Sequence, residues 1–137
     1  MNNKTMDAND FYSENVNQFI NRKNTNPSDI NEIINSNTEF VDSKVNLIGS
    51  RVIISGVNSR QAWVNFSCYR TSKNKYQSCR IKIEFIFDDQ NKIYSYKELE
   101  IKDLKFTKYF PTSSMFLRQS NFYRMDLESL FFSFYYQ

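Results

Sequence analysis

Trp63, Tyr69, Arg80 and Lys82 are the residues of this chain best suited to chemistry with a partner. They alternate on two neighbouring segments, 61–70 and 76–87, which fold back on each other about Ser72-Lys73-Asn74-Lys75. With Asn65 and Ser67 they fall on one face of the resulting hairpin, because strand side chains alternate with period 2. Arg70, Lys73 and Lys75 gather at its tip. Aromatic rings interleaved with cations on a sheet surface stack bases and hold phosphates, and the same rings suit a protein contact. Charge is concentrated in the same place. Residues 51–87 hold seven Lys/Arg against one Asp/Glu, residues 1–50 hold four against seven, and the whole chain carries a formal +3.

Other chemistries lack their residues. The chain has no histidine, so the usual general base near neutral pH is missing, and Ser-His-Asp, Cys-His and His-containing zinc sites are excluded. Only two glycines are present, too few for a phosphate-cradling loop. An acid–base role would fall to a carboxylate of raised pKa, with Asp42 and Glu39 as the candidates. Cys68 and Cys79 have no C-x-x-C spacing. Pairing Cys68 with Cys79, Phe66 with Ile81, Val64 with Ile83 and Ala62 with Phe85 makes the cysteines cross-strand neighbours. They are then either a strained disulfide or two buried thiols. The sequence implies no cofactor and no metal.

The elements that position these residues follow from periodicity. Phe11 or Tyr12, Val16, Phe19 and Ile20 recur at helical spacing, which predicts a helix over 9–22. Asn26-Pro27 starts a second helix, with Asn as N-cap, Pro at the first helical position and Ile30, Ile33 and Ile34 as its apolar stripe. After Asn37 the period changes to 2. Short strands are expected at 40–47 and 51–56, then the hairpin, then a strand at 92–101 beyond the polar turn Asp88-Asp89-Gln90-Asn91. That turn sets Phe85 opposite Tyr94 and Ile83 opposite Tyr96. Residues 107–137 differ, with ten aromatics in 31 residues. There, Leu127, Leu130, Phe131 and Phe134 mark a C-terminal amphipathic helix.

Three stretches resemble the NTF2-like superfamily, the cone-shaped α+β fold of SnoaL-like and VirB8-like domains. They are Asp10-Phe11-Tyr12 at the chain's first predicted helix, Asn37-Thr38-Glu39-Phe40-Val41-Asp42 after the second, and Phe85-Ile86-Phe87-Asp88-Asp89-Gln90-Asn91-Lys92-Ile93 at the last turn. The match covers roughly residues 9–101. The resemblance implies a cone whose pocket would draw on Asp42, Tyr94 and Tyr96. It also implies dimerisation through the sheet. The chain departs from the family in lacking a third N-terminal helix, in having no histidine for the cone, and in continuing past the last strand.

The expected architecture is α+β: two N-terminal helices on a curved antiparallel sheet of about four strands, over residues 1–106, with an aromatic C-terminal extension over 107–137. The expected function is a non-enzymatic protein-interaction or assembly module that self-associates, as a homodimer, through the Trp63/Tyr69/Arg80/Lys82 face. Single-stranded nucleic acid is the alternative partner of that face and the basic tip. A SnoaL-like small-ligand binder or enzyme is the other alternative. No transmembrane segment or signal peptide is read, and the expected location is the cytoplasm, or the host cytoplasm if the Asn-, Lys- and Ile-rich composition reflects a viral genome.

Overall fold

A computed structural model describes residues 7–48 and 52–109. It is dominated by one mixed sheet. Seven strands, β1 (Val16–Phe19), β2 (Arg22–Thr25), β3 (Phe40–Leu47), β4 (Ile53–Gly56), β5 (Ser59–Arg70), β6 (Lys75–Phe87) and β7 (Ile93–Thr107), accompany a single helix, α1 (Pro27–Ser36). The strand order is β2-β1-β7-β6-β5-β3, and β4 also pairs with β5. The expectation of two helices on about four strands is therefore wrong. The C-terminal helix expected around Leu127–Phe134 lies outside the described residues, as does nearly all of the 107–137 extension.

The first predicted helix is replaced by a 3-10 turn, Ala8–Asp10, and the β1–β2 hairpin. The apolar spacing was compatible with a helix, but six of the residues from Asn9 to Asn26 are asparagine, which favours caps and turns over helix interiors. Tyr12, Val16 and Phe19 are buried nonetheless, reached from an extended backbone. β1 runs antiparallel to β2 but parallel to β7, with Gln18 opposite Ser95 and Phe19 opposite Tyr96. Ser13 and Asp88 join the chain's first and last described turns by a 2.5 Å hydrogen bond, donated by the Ser13 hydroxyl.

The helix predicted at Asn26-Pro27 forms as read. The Asn26 side-chain oxygen accepts from the Asp29 N–H at 2.9 Å, and Pro27 occupies the first turn. Asn26→Ala is expected to cost about 1 kcal/mol by removing that cap, measurable as a lowered urea midpoint with an unchanged slope.

The β5–β6 hairpin also forms, but slipped by two residues. Phe66 faces Cys79, Val64 faces Ile81, Ala62 faces Ile83, and Cys68 faces Gln77. The turn is the four-residue Thr71–Asn74, closed by Asn74 in the left-handed region at φ 54°. A two-residue slip leaves every side chain on its original face. The core is accordingly the predicted one, including Ala62, Val64, Phe66, Cys68, Cys79, Ile81, Ile83 and Phe85, all buried. On the far side of β6, β7 carries three register shifts. One of them pairs Ile86 with Ser95 and Phe87 with Ile93, leaving Tyr94 as the extra residue. Phe85 thus faces Tyr96 rather than Tyr94, and Ile83 faces Glu98 rather than Tyr96.

Candidate ligand-binding site

The two sheet faces have different surroundings. The inner face carries the core and looks toward α1, and a cavity of about 650 Å³ lies between them. Its floor is Val64, Phe66, Ile81 and Ile83, its roof is Ile33 and Ile34 of α1 with the C-cap residue Asn37, and Ile101, Leu104 and Phe106 of β7 also line it. Phe19, Ile20 and Asn21 also line it, beside the start of β7. Ile20 has φ 57°, a costly conformation for a β-branched residue. Its backbone N–H is fixed to the Tyr96 carbonyl at 2.8 Å.

Polar groups sit only toward the ends. At the hairpin tip Arg70 is held from three sides. Its Nε donates to Glu39 at 2.7 Å, one Nη donates to Gln77 at 2.7 Å, and its guanidinium lies 4.5 Å from the centroid of the Phe40 ring. Glu39 also accepts from the Thr71 hydroxyl and from the Ser72 backbone and hydroxyl. Hydrogen bonding from Ser72, against a smaller desolvation cost and with Arg70 and Thr71 assisting, holds its carboxyl down at about 2, so it is ionised at neutral pH. At the other end Tyr96 is buried. Glu98 lies against the apolar floor, and burial of its carboxyl raises its pKa although the residue keeps substantial solvent exposure.

The cysteines are thiols, and no nucleophile emerges from them. In the observed register they are diagonal neighbours, about 7–8 Å apart by ordinary sheet geometry with the Cβ atoms somewhat closer, still beyond the roughly 3.5–4.5 Å Cβ separation of an S–S bond. Burial pushes Cys68 up to about 12 and raises Cys79 as well, so the reactive thiolate is scarce. Among the described residues no group of three His, Cys, Asp or Glu side chains is placed to hold a metal.

The residues singled out from sequence are divided between these surroundings. Trp63, Tyr69, Arg80 and Lys82 share the outer face, but its aromatic and cationic groups are largely taken. Lys102 Nζ sits 4.8 Å from the centroid of the Trp63 ring, Tyr69 packs edge-on against Tyr76, and Arg80 pairs with Asp103 at 2.5 Å. Asn65 and Ser67 on that face are buried. Arg70 and Lys75 pair across the hairpin on the inner face instead, so the basic tip belongs to the cavity side. Of the proposed pocket trio, Tyr96 lines the cavity, while Tyr94 is 41 % exposed and Asp42 is exposed with φ 54°; neither of these two lines it.

The polar cavity residues outside the expected pocket trio are Asn21, Asn37, Arg70, Gln77 and Glu98. For Arg70 and Gln77 the signal was present: Arg70 continues the alternation Phe66, Cys68, and Gln77 continues Cys79, Ile81. For Glu98 it was present too, since Glu98 continues the alternation Tyr94, Tyr96 of the expected last strand and keeps continuous register with Tyr96. No known family model and no curated protein matches this chain. No described helix is long and apolar enough to cross a membrane.

Proposed function

We propose that this protein binds a small apolar or amphiphilic molecule in the cavity between α1 and the inner face of the sheet. The observation that carries this is an open cavity of about 650 Å³, walled by apolar side chains with a few polar groups at its ends. That is the size and character of small-molecule sites, typically about 300–1,000 Å³. The chain's own residues supply shape and an apolar lining. Among the described residues the lining offers one carboxylate, Glu98, and one thiol, Cys79, both with pKa raised by burial and neither part of a metal-binding cluster, and we read the role as binding. A contact role for the outer face, to a second copy or to nucleic acid, has less behind it, because the Trp63 ring and the Arg80 guanidinium already have intramolecular partners.

Ile101 and Leu104 give a clean probe, since they line the cavity yet are 54 % and 53 % exposed and carry little of the core. The expected result is saturable fluorescence enhancement of Nile red, a neutral apolar dye, by the intact chain. Ile101→Glu with Leu104→Glu should weaken it at least about tenfold, through charge placed on an apolar contact surface, with an unchanged circular dichroism spectrum. Absence of saturable binding, or binding indifferent to the double variant, overturns the reading.

A further inference from the structure

We infer, building on the ligand-binding reading above, that the cavity takes a single-chain anionic amphiphile, a long-chain carboxylate, with its head group at the Arg70/Lys73/Lys75 end and its chain along β6 toward Ile83. The shape comes from the strand. Gln77, Cys79, Ile81 and Ile83 line the cavity in succession, and six residues of extended chain span about 20 Å at roughly 3.3 Å each. The cavity is therefore long, with an apolar middle.

Its ends differ in charge. Arg70 and Lys75 are directly paired across the hairpin on the inner face. Lys73 Nζ stands 5.3 Å from the centroid of the Phe106 ring, which is itself part of the cavity wall. Three cations thus meet one carboxylate, Glu39, both of whose oxygens are occupied by Arg70, Thr71 and Ser72. Arg70 is oriented by Glu39, Gln77 and Phe40, and its second terminal nitrogen, Nη2, makes no hydrogen bond among the described residues. Lys73 and Lys75 form no ion pair among them either. A positioned guanidinium edge with two ammonium groups beside it that form no ion pair among the described residues is a receptor for a carboxylate. At the far end Glu98 faces Ile83, and a carboxylate there repels a second anionic group. One charged head and one apolar tail satisfy both ends.

The test is displacement of Nile red from the full-length protein by three twelve-carbon compounds below their micelle concentrations: dodecanoate, dodecanol and dodecyltrimethylammonium. Dodecanoate is expected to displace the dye at about tenfold lower concentration than dodecanol, the order of a hydrogen-bonded charged contact, with the ammonium compound weakest. Lys73→Gln with Lys75→Gln, both exposed substitutions, should cut the preference for dodecanoate several-fold and leave dodecanol unchanged. Arg70→Gln should remove the rest, provided its spectrum is native. Equal displacement by all three compounds, with the dye still sensitive to Ile101→Glu and Leu104→Glu, overturns the inference and leaves the ligand-binding reading standing. A dye insensitive to those two substitutions overturns the ligand-binding reading itself. Co-sedimentation with phosphatidylglycerol vesicles, without displacement by dodecanoate, also overturns the inference, because the charged end would then serve a lipid surface.

Discussion

Phe85→Ala is expected to lower the unfolding free energy by about 3–5 kcal/mol, the range for removing a fully buried aromatic ring. Phe85 is 1 % exposed. It lies near the centre of the sheet, on β6, facing Arg60 on one neighbour and Tyr96 on the other. Its ring stacks on Tyr96 with centroids 5.0 Å apart at 26°, and Phe87 follows at 6.1 Å. Phe19 joins the group through Tyr96 at 5.8 Å. Truncation leaves a void among rings fixed on three strands, which restricts how far the site collapses. Urea unfolding should show a lowered midpoint with the same slope. A loss under about 1 kcal/mol would mean that this cluster is not close-packed, contrary to ordinary core density.

Ile30→Ala is expected to cost about 2–5 kcal/mol and, in addition, to weaken Nile red binding several-fold. The helix has ten residues, too short to hold itself in water, so packing must keep it in place. Ile30, fully buried, is its one large buried side chain; Pro27 is the other buried residue. Asn31 ties the same helix to the 3-10 turn, accepting from the Ala8 N–H at 2.8 Å and donating to Asp7 at 2.9 Å. Ile33 and Ile34 are only partly buried because they face the cavity. Loss of Ile30 therefore loosens the roof without altering a lining residue. A variant that loses stability yet binds dye like the parent would show that the roof takes no part in the site.

What the sequence disclosed depended on range. Asn26-Pro27 is a local device, a cap followed by a residue that needs no N–H donor, and it was readable from neighbouring residues alone. The hairpin faces were readable because period 2 fixes parity. The register was not, since a slip of two preserves parity and only the Thr71–Asn74 turn decides between the alternatives. Residues 11–20 failed for a different reason. Their apolar spacing serves a helix or a turn-and-strand equally, the Ile20-Asn21 turn contains no glycine or proline, and Arg22-Lys23-Asn24-Thr25 is too polar to announce a strand. The shift at the start of β7 had no signature either, so Tyr94 reads as a pocket residue from alternation although it faces outward. For the candidate site, Arg70, Gln77 and Glu98 were legible by alternation. The facing roof was not, because nothing in Ile33 or Ile34 records that a gap separates them from the sheet.

The parallel pairing of β1 with β7 gives the molecule a latch. Strands β5, β6 and β7 follow one another through short turns and can zip together locally, whereas Phe19 meets Tyr96 only after nearly all of the described chain has been laid down. That closure is long-range, and its entropic cost grows slowly with length, but no contact rewards it until β7 is in place. Strand β1 ends at Phe19, which with the following Ile20 and Asn21 lines the cavity. The pairing that spans the most sequence in this sheet is therefore also the one that completes the container, so the seam between β1 and β7 serves both the sheet and the cavity.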